Sequence, residues 1–294
     1  MNYYGEERIP LKANLHTHTT KSDGAIEPQE VIRRYAEKGY GVLALTDHRQ
    51  VHKIAPYDPM GMILIQGAEL HPLNPGRASW HLVALDLPDD FQPTNAAETG
   101  ETAQQIIDLV AAAGGITAVA HPYWCGYGSE VVKPLKGYFA MEIYNTECRG
   151  INREYSLQTW DELLADGKKV AAVAVDDMHR KCSLFGAWTV ICAEERSLES
   201  VMKALRKGEF YATQGPQFYT FGMEGNYCYA EFSEVVKCAL VLKQSGRCLI
   251  IPGQDAPGTA ARCDVEKFRS PGAYARWVIT DAEGRTAWSN PLFF

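Results

Sequence analysis

Polar and apolar residues alternate at the start of the chain, and the alternation ends in two histidines. Apolar residues take every second position from Ile9 to Leu15, which is typical of a half-buried strand. His16 and His18 follow directly. Because residues two apart in an extended chain point to the same face, their imidazoles are expected side by side. Such a pair can bind one divalent metal, although by itself it is weak evidence for a site.

Helices and buried strands follow in alternation. Residues 27–39 predict a helix, because Pro28 is placed early, acidic residues occupy the first turn and Gly39 ends it. Further helices are predicted over residues 102–113, 152–164 and 197–207. Strands are expected to start near residues 11, 42, 62, 116, 139, 170 and 187.

This alternation favours parallel strands with helices packed outside them. We therefore predict an α/β fold, a distorted (β/α)7 barrel, with an open doubly wound sheet as the alternative. One more strand, over residues 80–85, is expected to form a hairpin with the strand at 62–65.

The pattern changes after residue 215. Short β-like runs separated by Gly and Pro turns then predominate, at Phe218–Phe221, Val235–Lys243, Cys248–Ile251, Ala273–Thr280 and Thr286–Trp288. This spacing predicts a small all-β sandwich domain over residues 216–294, appended to a barrel domain over residues 1–215.

Composition narrows the class of protein. The chain has 294 residues and a net charge of −7, and the negative charge lies before Pro216, with 21 basic and 28 acidic residues there against eight of each after it. This balance argues against a long nucleic-acid partner, although a short oligonucleotide in a locally basic cleft is compatible with it. The apolar runs are too short to span a bilayer, and no secretory signal is evident. The oligomeric state stays open.

Cysteine usage indicates the redox environment. The eight cysteines include no Cys-x-x-Cys pair and do not have zinc-ribbon spacing. In a chain with a core of this size, we expect buried free thiols and a cytoplasmic location.

Residues of the types that bind metals lie at or just beyond the ends of successive predicted strands. Asp23 follows the first histidine pair in a turn, and His81 lies in the hairpin strand. Each residue alone has an ordinary structural explanation. The carboxyl ends of parallel strands form one face, however, so these side chains are expected to converge. The residues at strand ends are His16, His18, His48, Glu69, His121, Asp177 and His179.

These residues, in this order, resemble the motifs of the PHP (polymerase and histidinol phosphatase) superfamily over residues 11–210. The segments 208–216 and 287–291 resemble a PHP subgroup with a C-terminal β domain. The resemblance implies a distorted seven-stranded barrel that binds two or three metals and hydrolyses phosphoesters. The matching motifs are His16-x-His18, Asp23, Thr46-Asp47-His48, Glu69, His81, Ala120-His121-Pro122 and Asp177-x-His179.

The resemblance also implies how the ligands are shared. His16, His18, Glu69 and Asp177 would bind one metal. Glu69 would bridge to a second metal bound by His81 and His121, and Asp23, His48 and His179 would bind a third. Glu69, Asp177 and His179 are the expected catalytic residues. Mixed histidine and carboxylate ligands suit manganese, iron or zinc.

Other polar residues near the strand ends are candidates for supporting roles. Glu142 and Asp176 are expected to orient ligands and not to bind metal themselves. His52 and His71 are the two histidines outside the predicted set. The candidate phosphate-binding cations are Arg49, Arg149, Arg180 and Lys181.

The leading hypothesis is a metal-dependent phosphoesterase acting on a phosphate ester of a small molecule, a nucleotide or a short oligonucleotide, through a multinuclear metal centre and a metal-activated hydroxide. The alternative is a binding or scaffold protein with a structural metal site and a partner-binding β domain. Nine ligands exceed what a structural tetrahedral site needs, which favours the enzyme. Hydrolysis of a carbon–nitrogen bond on a similar barrel is a third option.

Overall fold

The computed structural model describes residues 2–3, 6–73, 80–93, 100–243 and 258–294. The helices are α1 (Pro28–Glu37), α2 (Ala103–Ala112), α3 (Pro122–Cys125), α4 (Ser129–Val132), α5 (Leu157–Ala165) and α6 (Leu198–Lys207). The strands up to the end of the last long helix are β1 (Asn2–Tyr3), β2 (Glu6–Glu7), β3 (Ile9–Asn14), β4 (Val42–Leu45), β5 (Ile63–Leu70), β6 (Leu82–Leu85), β7 (Ile116–Val119), β8 (Ala140–Asn145), β9 (Ala171–Val175) and β10 (Trp188–Ala193). The remaining strands are β11 (Phe210–Thr213), β12 (Phe218–Glu224), β13 (Tyr227–Val235), β14 (Lys237–Leu242), β15 (Gly258–Asp264), β16 (Tyr274–Thr280), β17 (Thr286–Ser289) and β18 (Leu292–Phe293).

One large mixed sheet dominates the fold. Its strands follow the order β14-β16-β17-β11-β10-β3-β4-β5-β6-β7-β8-β9. Strands β3, β4 and β5 pair in parallel, as do β7, β8 and β9. Strand β6 is antiparallel to both β5 and β7, so the predicted hairpin is confirmed. The fold is therefore mixed α/β, while the seven-stranded barrel stays a prediction.

The segments that follow β3 and β9 meet, although those strands lie far apart in the sheet order. The amide of Asp177 donates to the carbonyl of His16 at 3.0 Å, and the amide of His18 donates to the carbonyl of Met178 at 3.0 Å. These hydrogen bonds bring the His-x-His segment and the Asp177–His179 segment side by side.

The predicted orientation of the strand near residue 187 is wrong. Strand β10 pairs antiparallel to β3 and to β11. A parallel neighbour needs a crossover of a dozen or more residues, usually a helix. Between β9 and β10 the described chain has only a short 3-10 turn, Lys181–Ser183, so the chain reverses direction.

Two of the four longer helices, α2 and α6, begin at residues whose side chains cap them. Thr102 and Gln105 form a capping box before α2, and Ser197 accepts the amide of Ser200 before α6. Helix α5 starts later than expected, because a 3-10 turn over Glu147–Ile151 precedes it.

The C-terminal residues are β-rich, as expected, but they do not pair as one isolated unit. Strands β12, β13 and β15 form a separate three-stranded sheet. Strand β17 pairs with β11, so β17, β16 and β14 continue the large sheet. Strands β13 and β15 were not predicted, and the predicted run Cys248–Ile251 lies outside the described residues. The sandwich and the division at residue 215 stay predictions.

The C-terminal strands pack on the rest of the protein through apolar and polar contacts. Trp288 lies in the same buried cluster as Trp160 of α5. Arg276 donates to both carboxylate oxygens of Asp161, at 2.8 and 2.7 Å. The seven described cysteines are free thiols, five of them buried. In the described part of the chain, no helix is long and apolar enough to cross a membrane.

Candidate metal centre

The structure brings the nine predicted ligands together at one end of the sheet. They follow strand ends, except that Glu69 lies within the last residues of β5 and His81 directly precedes β6. Their ligand atoms form overlapping groups in which each atom lies within 4.8 Å of the others, and Asp177 adjoins them through His16 and His18. The residues in this cluster are His16, His18, Asp23, His48, Glu69, His81, His121, Asp177 and His179.

The buried carboxylate of Glu69 is the centre of the cluster. Its two oxygens face different histidines, so two cation positions can share this one side chain. Oε2 lies 3.4 Å from His16 Nε2, 3.2 Å from His18 Nε2 and 2.8 Å from His48 Nδ1, whereas Oε1 lies 2.7 Å from His81 Nδ1 and 3.1 Å from His121 Nε2.

Asp177 supplies a second buried carboxylate. Its Oδ1 lies 3.1 Å from His18 Nε2 and 3.2 Å from His16 Nε2. Imidazole nitrogens lie close to this oxygen and to Oε2 of Glu69, but none of the described residues donates a hydrogen bond of good geometry to either oxygen. A buried carboxylate oxygen without a partner is costly. A cation bound between the two carboxylates would remove that cost, so the donor set fits a metal.

A third group of ligand atoms lies nearer the solvent. The side chain of Asp23 is 57% exposed, and its carboxylate lies 3.4 Å from Nε2 of both His48 and His179. Nδ1 of His179 lies 2.8 Å from the carbonyl of Asp177, which fits donation by Nδ1 and leaves Nε2 facing Asp23. These three residues form an open rim beside the buried carboxylates.

Ionisation follows from burial and from neighbouring charges. Burial opposes ionisation of Glu69, yet the imidazoles of His81 and His16 hold the pKa of its carboxyl well below the usual value. Burial lowers the pKa of His18, but Asp177 and Glu69 raise it to about 9. The carboxylates are therefore charged at neutral pH. A bound cation would displace protons from histidines such as His18.

Backbone geometry around the cluster is unusual. His121 has φ 23°, Asp177 has φ 50° and Arg49 has φ 56°, all in the left-handed region that side chains disfavour. Such conformations persist where the surrounding structure enforces them, often at functional sites. Here two of the three residues, His121 and Asp177, belong to the cluster.

Glu142 contacts two of the predicted ligands, whereas the side chain of Asp176 contacts other residues. Oε1 of Glu142 lies 2.6 Å from Nδ1 of His16, and Oε2 accepts the backbone amide of His121 at 2.9 Å. Asp176 instead accepts hydrogen bonds from Tyr35 and from the backbone amides of residues 185–187. It stabilises the segment that follows the ligands.

Comparison with protein families matches residues 14–137 to the PHP domain. This segment, less than half of the chain, is similar to the PHP domain. The match includes seven of the nine clustered residues; Asp177 and His179 lie beyond it. The predicted resemblance is confirmed.

Curated proteins that are similar to this chain align with it over short segments. A 5'-3' exoribonuclease of Haemophilus influenzae is 37% identical over 79 residues, 26% of this chain and 28% of that protein. A 3',5'-nucleoside bisphosphate phosphatase of Chromobacterium violaceum is 36% identical over 88 residues, 29% of this chain and 30% of that protein. The chain thus spans less than a third of the length of either relative.

A solved structure shares the fold over nearly the whole chain. It is a two-domain protein of Bacteroides vulgatus that contains a predicted PHP-like metal-dependent phosphoesterase. The TM-score is 0.57 at 16% sequence identity, covering 98% of this chain and 95% of that one. At this identity the likeness shows a common fold.

Two residues that contact the cluster were not predicted. His71 Nε2 lies 2.8 Å from His48 Nδ1, and burial together with the charge of His81 lowers the pKa of His71 to about 3. His71 lies two residues after Glu69, at the end of a strand. This position could have indicated that His71 faces the same side as Glu69. Asn145 donates to Glu142 at 2.9 Å and to Asp177 at 3.0 Å. His52 pairs with Asp47 and stays outside the cluster.

The predicted phosphate-binding cations differ in position. Arg180 lines the cavity above the cluster, which has a volume of about 390 Å³ and also contains Trp124 and Glu147. Arg49 contacts His71 at 2.8 Å, at the edge of the cluster. Arg149 donates to the carbonyl of Cys182 at 3.2 Å. Arg180 is thus the one of these three that lines the cavity.

Proposed function

We propose that this protein is a metal-dependent phosphoesterase that hydrolyses a phosphate ester of a small molecule, a nucleotide or a short oligonucleotide. The observation that supports it is the convergence of nine histidine and carboxylate side chains around Glu69 in a protein with a segment similar to the PHP domain. A structural metal needs about four ligands, so this set favours the enzyme over a scaffold.

The donor set supports two or three divalent transition metals, manganese, iron or zinc. His16, His18, Glu69 and Asp177 would bind the first. Glu69, His81 and His121 would bind the second, and Asp23, His48 and His179 the third. Divalent metals bound there would lower the pKa of a coordinated water and neutralise charge on a phosphate.

The surrounding side chains would prepare the site before substrate arrives. Glu142 fixes the orientation of His16, and Asn145 holds Glu142 and Asp177 relative to each other. Arg180 lines the cavity, where its guanidinium would bind phosphate oxygens. Phosphoryl transfer depends mainly on such positioning and charge stabilisation.

The substrate range is supported by the relatives, whose names give an RNA and a nucleoside bisphosphate as substrates. The proposed catalytic unit is residues 1–215, arranged as a barrel, since every clustered residue lies within it. Residues 216–294 form the proposed β domain, which packs on that unit through Arg276 and Trp288.

The test is phosphate release by the full-length protein supplied with manganese, iron or zinc in turn. The substrate panel contains nucleotides, sugar phosphates and short oligonucleotides, and metal content is measured on the same samples. We expect two or three metals per chain and release that stops on chelation. Metal-loaded protein that releases no phosphate from any member would instead support the scaffold alternative. The control variant Glu30→Gln changes a half-buried carboxylate of α1 that pairs with Arg33 and Arg34, and it should keep activity.

A further inference from the structure

Exposed aromatic side chains lie beside the metal centre. Tyr123, Trp124 and Tyr155 are 49%, 39% and 43% exposed. Trp124 lines the metal-centre cavity, and its ring centroid lies 5.0 Å from that of His121 and 5.4 Å from that of His81. Large aromatic rings are costly to leave in water, so their concentration beside a cavity indicates a ligand-binding surface.

A second cavity extends this surface. It has a volume of about 590 Å³, and its walls include Tyr123, Arg153 and Tyr155. Tyr123 and Trp124 are consecutive residues of α3, so one helical turn contributes an aromatic ring to each cavity. Gly126 and Gly128 also line the second cavity. The volume is in the range of small-molecule sites.

The turn that carries these rings is held in place. Pro122 begins it directly after His121, and Gly126 ends it with φ 77°. Nη1 of Arg153 lies 3.4 Å from the carbonyl oxygens of both Tyr123 and Trp124. The backbone that carries the rings is therefore held next to a predicted metal ligand, which suits a site that positions one part of a substrate.

The charges of the second cavity suit an uncharged planar group. The guanidinium of Arg153 lies 5.3 Å from the centroid of the Tyr123 ring. Glu162 lies in the same walls, where its carboxylate accepts hydrogen bonds from Ser129 and Gln158. Because Arg153 and Glu162 carry opposite charges, the second cavity has no net attraction for a phosphate in addition to the one expected at the metal centre. Aromatic faces with polar neighbours instead match a heterocyclic ring.

We propose that Trp124, Tyr123, Tyr155 and Arg153 bind the nucleobase of a nucleotide whose phosphate lies at the metal centre. Every base has a π face that stacks on aromatic side chains, so the surface would select nucleotides over sugar phosphates without selecting one base. This inference rests on the proposed function for the position of the phosphate, and it names the substrate class.

Binding of adenosine 5'-monophosphate and ribose 5-phosphate tests the inference, because the two differ only at C1, where the nucleotide carries adenine and the sugar phosphate a hydroxyl. Both are titrated into full-length metal-loaded protein by calorimetry. We expect the nucleotide to bind at least tenfold more tightly. Tyr123→Ala and Tyr155→Ala should each reduce that ratio severalfold, whereas Tyr123→Phe should keep it. Tyr219→Ala, at a tyrosine 42% exposed on β12, is the matched control and should also keep it.

Tryptophan fluorescence gives a second measurement. Trp124 is the most exposed of the six tryptophans, so stacking of adenine should quench its emission. Trp124→Phe should keep the affinity ratio and lose the quenching. Equal affinity for the two ligands, or a ratio that survives both alanine substitutions, would overturn the inference.

Failure of this inference can be told apart from failure of the proposed function. Phosphate release from both ligands, with an affinity ratio near one, would overturn the nucleobase site and leave the phosphoesterase. An affinity ratio above ten with no phosphate release from the substrate panel would support the nucleobase site and contradict the proposed function.

Discussion

Nδ1 of His16 lies 2.6 Å from Oε1 of Glu142, and both side chains are buried. A hydrogen bond from Nδ1 to this carboxylate leaves Nε2 as the nitrogen that faces Asp177 Oδ1, at 3.2 Å. Glu142 thus determines which nitrogen His16 presents to the metal centre, although it lies outside the predicted ligand set.

We predict that Glu142→Gln weakens metal binding about 10–100-fold, the usual effect of losing a residue that orients a ligand. The amide keeps the shape of the side chain but loses the negative charge opposite His16. Titration against a chelator of known affinity measures the change. Glu30→Gln, which removes a half-buried charge of α1 outside the cluster, is the control. Unchanged affinity in folded Glu142→Gln protein would show that Glu142 has no such role.

Local signals explain which parts of the fold could be predicted. Helices α2 and α6 begin at Thr102 and Ser197, whose capping hydrogen bonds are made within four residues. The metal-centre residues were recognisable because they follow short apolar runs, and the carboxyl ends of parallel strands face one side. Whether the clustered residues bind metal stays a prediction until metal is measured.

Features that depend on distant contacts were not predictable. Strand β10 pairs with β3, 180 residues away at Ile191 and Leu11, and no residue within β10 encodes that partner. Strand β13 alternates buried and exposed residues, including Cys228 and Phe232, but mixed polar residues obscure the pattern. His71 was missed because it belongs to no family motif.

Asp281 lies in the turn before β17, and its ionisation is expected to make the free energy of unfolding depend on pH. It accepts hydrogen bonds from the backbone amides of Glu283 and Arg285 and from Arg285 Nε. Burial opposes its ionisation, but these bonds hold the pKa of Asp281 below its usual value. A group whose folded pKa is lowered stabilises the protein above its unfolded pKa, and the contribution is lost as pH falls through the folded pKa.

We therefore expect Asp281→Asn to lower the free energy of unfolding by about 1 kcal/mol at pH 7 and by less below pH ~4. Urea unfolding of both proteins at pH 7 and at pH 3 measures the difference. Glu283→Gln, at a more exposed carboxylate in the same turn, serves as the comparison. A difference that grows toward acid pH would contradict the assigned role.

Asn290 joins the C-terminal strands to the rest of the protein. Its Oδ1 accepts the amide of Ala172 at 2.8 Å, and its Nδ2 donates to the carbonyls of Phe210 and Gly208 at 2.8 and 3.0 Å. Asn290→Ala leaves three backbone groups without this partner. We expect the free energy of unfolding to fall by about 2–4 kcal/mol.

Denaturant unfolding of Asn290→Ala tests this, with the exposed Gln217→Ala as control.

A chain that ends at Gln214 would lose Asn290 and also the β17 partner of β11. We expect it to melt at a lower temperature than the full chain. Equal stability of the shortened and full chains would show that residues 216–294 are not needed to stabilise the rest.

Glu69 and Asp23, two carboxylates of the candidate metal centre, have very different surroundings. Glu69 is 1% exposed, with histidines on both carboxylate oxygens, whereas the side chain of Asp23 is 57% exposed at the rim. Gln offers one good acceptor oxygen, and its amide nitrogen is a poor metal ligand. Glu69→Gln would therefore disturb two proposed metal positions, and Asp23→Asn only one.

With metal in excess, we expect the rate of phosphate release to fall about 10²–10³-fold in Glu69→Gln, the range seen when a group that stabilises transition-state charge is lost. Asp23→Asn should retain partial activity, because only the open rim changes. The rate order is wild type, then Asp23→Asn, then Glu69→Gln, with circular dichroism confirming that each variant is folded. Near wild-type turnover in folded Glu69→Gln protein would refute the bridging role, because both proposed positions depend on that carboxylate.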